Sequence, residues 1–414
     1  MKILLVTDFM PPQIHGISVR CKHWVENLRD MGHIVDVCSS KFSNDVQFAL
    51  DSFNLPFNPD VNVCVGSIDF FKHIINGKYD IVHLVSPSWT DAPNWVYLPS
   101  LLSNTPIVVS HHVDIRKYND EYVKNVLINS FTFTLGECQF FSLPIVCASK
   151  ICGPTHESLY EFYRLKGEKK LSVFATGVDR EQYSPAFRGD QELRNFYVNS
   201  FKERGIAPEK IIGYVGRVAK EKNLEVIFKL AERNKKWGFL IVGDGPERKE
   251  YQEKYKLDNL IFAGSKRGVE LSKHYGVLDL MISPSKTETF GFTILESLSI
   301  GTPVLMPEVK VFQEIHTNIS EWLVDVSDPK LEIENYENKI SSVFLENEGT
   351  NFLKAQNHIA SFSWRKSAED LVEIYNDAKK TKINKLHAIL FSGVWFLLSL
   401  PVNKLLEIIF KAKK

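Results

Sequence analysis

Short apolar runs recur along this chain in two separate series, each alternating with helix-length segments, and that alternation constrains the fold more than any other feature. Residues 2–7, 34–38, 80–85 and 106–110 make the first series; residues 210–216, 239–243, 260–263 and 280–283 make the second. Apolar runs of this length, bounded by turn residues, read as strands buried on both faces, and their alternation with helices specifies parallel sheets. The first helix is legible in detail. Cys21, Trp24, Val25, Leu28 and Met31 recur at three- and four-residue spacing, and Gly32 supplies a stop.

Two series imply an α/β chain of two doubly wound, Rossmann-like domains. Length agrees, because 414 residues exceed what one hydrophobic core normally organises. The expected division is an N-terminal domain over 1–180, a polar linker over 181–208 containing Pro185 and Gly189, and a C-terminal domain over 209–362. A helix over 363–385 and a tail over 386–414 complete the chain. Lys+Arg of 50 against Asp+Glu of 50 leaves no net charge, which argues against a nucleic-acid partner. Six cysteines are spread without a C-x-x-C pair or a metal-ligand spacing, so buried free thiols in a reducing compartment and no bound metal are expected. The N-terminal apolar run is too short for a secretion signal and meets Asp8, so secretion is not expected.

The most informative stretch is Ser283-Pro284-Ser285-Lys286-Thr287-Glu288-Thr289-Phe290-Gly291-Phe292-Thr293-Ile294-Leu295-Glu296-Ser297-Leu298. It leaves a strand and enters a helix with Phe292, Leu295 and Leu298 expected inward, so backbone N–H groups around Phe290 to Thr293 offer an anion site suited to a pyrophosphate. Glu288 then lies near a group beyond the phosphates, and Glu296 can accept hydrogen bonds from a vicinal diol such as ribose. A plainer reading makes Glu288 a helix-dipole partner and Glu296 a solvated side chain. Arg217 and Lys222, in Gly216-Arg217-Val218-Ala219-Lys220-Glu221-Lys222-Asn223-Leu224, also follow a strand end and supply cations; their plainer reading is surface charge, as expected for Lys220.

The E-x7-E pattern from Glu288 to Glu296, the G-R-x-x-x-E-K segment and the following S-I-G-T-P-V resemble the retaining glycosyltransferase family 4. The resemblance runs from Met1 to about Asn376 and implies the GT-B fold, two Rossmann-like domains facing across a cleft. It implies that Arg217 and Lys222 grip the donor diphosphate, and that Thr289, Phe290, Gly291, Phe292 and Glu296 line the donor site with Glu288 on the sugar. It further places Gly243 and Asp244 of the G-D-G-P turn beside the nucleotide and Ser265 near the base. Gly16 is assigned to the diphosphate, with His15 standing where the family more often has a second glycine. His112 aligns with the family's active-site histidine, while His111 reads as structural. The nucleotide-sugar is a substrate, and no cofactor is implied.

Within that family the chain looks most like the sulfoquinovosyltransferases of sulfolipid synthesis, on residues 106–118, Thr176-Gly177-Val178-Asp179, 183–188 and the motifs above. This implies UDP-sulfoquinovose as donor and a lipid acceptor such as diacylglycerol, with Arg116 and Lys117 as candidate sulfonate or acceptor contacts. Mannosyl- and glucosyltransferases on other lipids or glycans share nearly every motif, and a non-catalytic nucleotide-binding scaffold would share the fold. A dehydrogenase is disfavoured, because the first strand leads into P-P-Q-I-H-G rather than G-x-G-x-x-G. In the tail, residues 388–402 carry no charge and are flanked by Lys379, Lys380, Lys382, Lys385 and by Lys404, Lys411, Lys413, Lys414. The run falls short of the ~20 apolar residues a spanning helix needs. It fits a helix in the surface of an anionic membrane, on its cytoplasmic or stromal-like face, or else a helix packed on the core.

Overall fold

A computed structural model describes residues 1–13, 16–55, 58–86, 92–112, 141–165 and 167–411. The chain forms two compact units: unit 1 is Met1–Thr176 with Trp364–Lys414, and unit 2 is Gly177–Ser363.

Unit 1 opens with β1 (Lys2–Val6), α1 (Gly16–Asp30) and β2 (Ile34–Ser40). The α1 face bearing Ile17, Cys21, Trp24, Val25 and Leu28 is buried, and Gly32 turns the chain at φ +82. Short strands β3 (Phe48–Leu50), β4 (Ser52–Leu55) and β5 (Asn58–Cys64) follow, then α2 (Ile68–Asn76), β6 (Ile81–Ser86), α3 (Ala92–Leu102) and β7 (Ile107–His111). Helices α4 (Leu143–Cys147) and α5 (Tyr160–Arg164) accompany β8 (Lys150–Gly153) and β9 (Leu171–Val173). The main sheet is parallel, in the order β3-β2-β1-β6-β7-β8-β9, with β4 and β5 as a separate antiparallel pair.

Unit 2 begins with α6 (Gln191–Lys202), β10 (Lys210–Val215), α7 (Glu225–Arg233), β11 (Trp237–Val242), α8 (Arg248–Lys254), β12 (Leu260–Gly264), α9 (Gly268–Gly276) and β13 (Leu280–Ile282). It continues through α10 (Phe292–Ile300), β14 (Val304–Pro307), α11 (Lys310–Ile315), β15 (Leu323–Val324), α12 (Glu332–Leu345) and α13 (Glu348–Ile359). Its sheet is parallel in the order β12-β11-β10-β13-β14-β15. Every residue of β11 is buried, as a strand covered on both faces requires. The expected linker over 181–208 is instead part of this unit. Asp190 caps α6, which drives Tyr197 and Phe201 into the core, and Arg194 pairs with Asp279 at 2.9 Å.

The chain then returns to unit 1 through α14 (Trp364–Lys380) and α15 (Lys385–Lys411). Trp24 Nε1 donates to Ser367 Oγ at 2.8 Å, fixing α14 against α1. The expected single helix over 363–385 therefore ends at Lys380, and the tail forms its own helix. One face of α15 joins the unit 1 core: Ala388 is buried, and Phe396 packs against Trp95 and Phe71 at ring separations of 4.7 and 5.4 Å. Leu386, Leu390, Val394, Leu397 and Leu398 remain exposed on another. Among the described residues, no helix is long and apolar enough to cross a membrane.

Candidate active site

In unit 2, β10 has β11 on one edge and β13 on the other. Such a reversal of winding opens a crevice beyond the carboxyl ends of the two central strands, where open α/β sheets receive ligands. The segments that leave β10 and β13 are held together there. Ser285 Oγ and Thr287 Oγ1 donate to the Glu221 carbonyl at 3.2 and 3.4 Å, and Asn223 Nδ2 donates to the Pro284 carbonyl at 3.4 Å. Asn223 itself takes the left-handed conformation at φ +54 that ends the 3-10 turn Lys220–Lys222.

Across this junction Lys222 Nζ meets Glu288 Oε1 at 2.6 Å, with the side chains only 24% and 20% exposed. Burial lowers the Lys222 pKa, but the charge and hydrogen bond of Glu288, aided by Glu221, outweigh it and the net displacement is upward; Arg217 acts in the opposite sense. Two cations and a carboxylate are thus gathered at one strand-end junction. Glu288 does not cap α10, whose N-cap is Gly291, in the left-handed region at φ +87 and with no side-chain cap. Lys220 is exposed, as expected.

The glycine turn after β11 has a steric reason to be glycine. A Cβ on Gly243, at φ +141, would lie 1.9 Å from the Gly216 carbonyl oxygen, and one on Gly245 would lie 2.3 Å from that of Val218. The close approach is stitched by Gly216 N–H to Val242 O at 3.0 Å and Val218 N–H to Asp244 O at 2.9 Å. Asp244 is committed locally, to the Gly245 amide at 2.8 Å and to Arg248 at 3.0 Å. Ser265 is exposed just past the end of β12, where Gly264 accepts from the Gly243 amide at 2.9 Å.

Within α10, Ile294, Leu295 and Leu298 are buried, whereas Phe292, expected inward, is half-buried with its ring 5.6 Å from that of the buried Phe290. Thr289 precedes them, half-buried. Glu296 is not a solvated side chain. Its Oε2 accepts from Tyr275 Oη at 2.5 Å, and burial raises its pKa against the opposing hydrogen bonds of Tyr275 and Tyr183. Tyr214, whose hydroxyl donates to the Arg217 carbonyl at 2.7 Å, feels the charge of Glu288. Sequence reasoning missed these tyrosines, because Tyr275 and Glu296 are 21 residues apart and belong to different helices.

Unit 1 holds the other predicted residues. Gly16 begins α1. His112, 5% exposed, follows β7; its ring packs 5.6 Å from Trp24 and 5.9 Å from Phe174, and its Nε2 is hydrogen-bonded to Ser110 Oγ at 2.9 Å. His111 is a core residue against Phe162, at 5.3 Å. Arg20 was not anticipated: it is buried on α1 with its guanidinium 5.5 Å from the Trp24 ring and 5.0 Å from the Phe174 ring, and burial pulls its pKa down to about 9. His15, Arg116 and Lys117 lie outside the described residues.

Residues 198–360 match the sequence profile of the family described as Glycosyl transferases group 1. A sulfoquinovosyl transferase of Arabidopsis thaliana is 26% identical over 307 residues, covering 70% of this chain and 56% of that protein. A GDP-mannose-dependent alpha-mannosyltransferase of Corynebacterium glutamicum is 25% identical over 80% of this chain and 78% of its own. An alpha-monoglucosyldiacylglycerol synthase of Streptococcus pneumoniae is 25% identical over 74% and 70%. Among solved structures, Anabaena HepE in complex with UDP superposes with a TM-score of 0.66 at 16% identity, covering 90% of this chain and 99% of that one.

Proposed function

We propose that this chain, whose fold is of the GT-B type, is a glycosyltransferase that moves a sugar from a uridine diphosphate donor, UDP-sulfoquinovose foremost, to a lipid acceptor such as diacylglycerol, with retention of anomeric configuration. One observation carries the donor half: Lys222, Arg217 and Glu288 converge at the switch point of the unit 2 sheet, beside the start of α10. Breaking a sugar–phosphate bond builds negative charge on the departing diphosphate, and fixed cations with a helix N-terminus stabilise it. Lys222 then exchanges Glu288 for the diphosphate, and Glu288 turns to the sugar. Glu296, steadied by two tyrosine hydroxyls, accepts from the ribose diol. Gly243, Asp244 and Ser265 flank the nucleotide. Unit 1 takes the acceptor side with Gly16 and His112, and Arg116 and Lys117 are the candidate sulfonate contacts. No nucleophilic side chain is required, and no cofactor is invoked.

The exposed stripe Leu386, Leu390, Val394 and Leu397 on α15, flanked by lysines, supports docking of the tail on an anionic lipid surface, peripherally and on a cytoplasmic-type face. The name of the S. pneumoniae relative favours a diacylglycerol acceptor. The C. glutamicum relative favours a second reading, mannosyl transfer from a GDP donor. Incubation with UDP-sulfoquinovose, UDP-glucose and GDP-mannose, each with diacylglycerol vesicles, separates them. The proposal expects a glycolipid with the first donor; product from GDP-mannose alone overturns it in favour of the second.

A further inference from the structure

Four buried polar side chains in unit 1 form a single hydrogen-bonded line. His112 Nε2 meets Ser110 Oγ at 2.9 Å, Ser110 Oγ meets His83 Nε2 at 2.9 Å, and His83 Nδ1 meets the Tyr375 hydroxyl at 2.7 Å. His83, Ser110 and Tyr375 have no exposed surface, and they come from β6, β7 and α14. The order of donors along such a line is not free, because each neutral imidazole carries one proton and each hydroxyl donates once.

The far end sets the direction. Among the described residues the Tyr375 hydroxyl has His83 Nδ1 as its one side-chain partner. If His83 donated to it, the phenolic hydrogen would be buried with no acceptor, an arrangement native proteins rarely tolerate. Tyr375 therefore donates to His83 Nδ1. His83 carries its proton on Nε2 and donates to Ser110, and Ser110 donates onward to His112 Nε2. Burial keeps His83 neutral, pulling its pKa down to about 3, and keeps Tyr375 a phenol by raising its own.

We infer that Tyr375, His83 and Ser110 are positioning residues for the proposed sugar transfer: they lock His112 as the neutral tautomer protonated on Nδ1, with Nε2 committed to Ser110. This rests on the reading that His112 acts at the sugar. The C-terminal helix α14 thereby reaches the chemistry without touching substrate.

The test is the tautomer itself, read by long-range proton–nitrogen correlation on protein labelled with 15N-histidine, with His112 assigned by the signal lost in His112→Gln. The wild type is expected to show His112 protonated on Nδ1 at neutral pH. Tyr375→Phe and Ser110→Ala should replace that state with a mixture of tautomers, and Ser110→Thr, which keeps a hydroxyl, should restore it. In sugar transfer, Tyr375→Phe should lower kcat about tenfold at unchanged KM for the donor. His112 protonated on Nε2 or on both nitrogens in the wild type overturns the inference, and so does a tautomer indifferent to Tyr375→Phe. The spectrum is read without substrate, so a chain that transfers no sugar would defeat the proposed function while leaving the relay standing.

Discussion

Replacing Lys222 by alanine should separate the ion pair that the structure shows from the proposed role of the same ammonium group at the donor diphosphate. Lys222 holds Glu288 at 2.6 Å, with both side chains about four-fifths buried. Removing it strands a carboxylate that water reaches only in part. Leaving a buried polar group unsatisfied costs about 1–3 kcal/mol, and the remaining exposure puts this site near the lower end, about 1 kcal/mol. For a domain of this size that lowers Tm by about 2–4 °C. The catalytic loss is larger, because removal of a preorganised partner for developing charge costs ~2.7–4 kcal/mol, or about 10²–10³ in kcat. Glu288→Gln provides the control. It also breaks the ion pair, but it removes the negative charge beside the proposed diphosphate site, so affinity for UDP alone should hold or rise while turnover falls. UDP release by initial rates, UDP titration and thermal melts on both variants read turnover, UDP affinity and Tm. Near-normal kcat in Lys222→Ala, or UDP affinity falling in Glu288→Gln as steeply as in Lys222→Ala, refutes the exchange of partners.

Glu296→Gln should raise Tm at neutral pH, because the folded carboxyl is raised above its unfolded value of ~4.3. A raised acid stabilises the fold below the unfolded pKa and loses that contribution as pH climbs through the folded one. The Tm gain should therefore vanish below about pH 4, and melts across that range check it. Gly243→Ala forces a Cβ to 1.9 Å from a carbonyl oxygen in a left-handed turn, so unit 2 should lose at least ~1–3 kcal/mol by denaturant titration. Cys21, Cys38, Cys64, Cys147 and Cys152 are buried free thiols, with Cys21 and Cys147 pushed up to about 12, so all five should resist a thiol reagent until the protein unfolds. Leu390→Glu with Val394→Glu, on the exposed face of α15, should cut sedimentation with anionic vesicles by ~10-fold or more while leaving Tm within a degree or two.

The strands that build both central sheets were legible because parallel strands covered on two faces read as unbroken apolar runs, as in β10 and β11. The short outer strands were not. β4 and β5 pair antiparallel through polar residues such as Asn54 and Asn62, and β15 has two residues. Helix α6 passed for linker because its charges outnumber the two aromatic residues that anchor it, and only packing shows Tyr197 and Phe201 to be core. The same limit applies at the site. Lys222 and Glu288 stood out by motif, but nothing in the sequence joins residues 66 apart into one ion pair. His83 read as a strand residue, since its partners lie 27 and 292 positions away.

The configuration of the new glycosidic bond tests the central claim most directly. Proton NMR of the product formed from an α-linked UDP-sugar and diacylglycerol should show an α-anomeric signal appearing together with free UDP. A β-anomeric product, or a donor left intact by folded protein, would contradict the account.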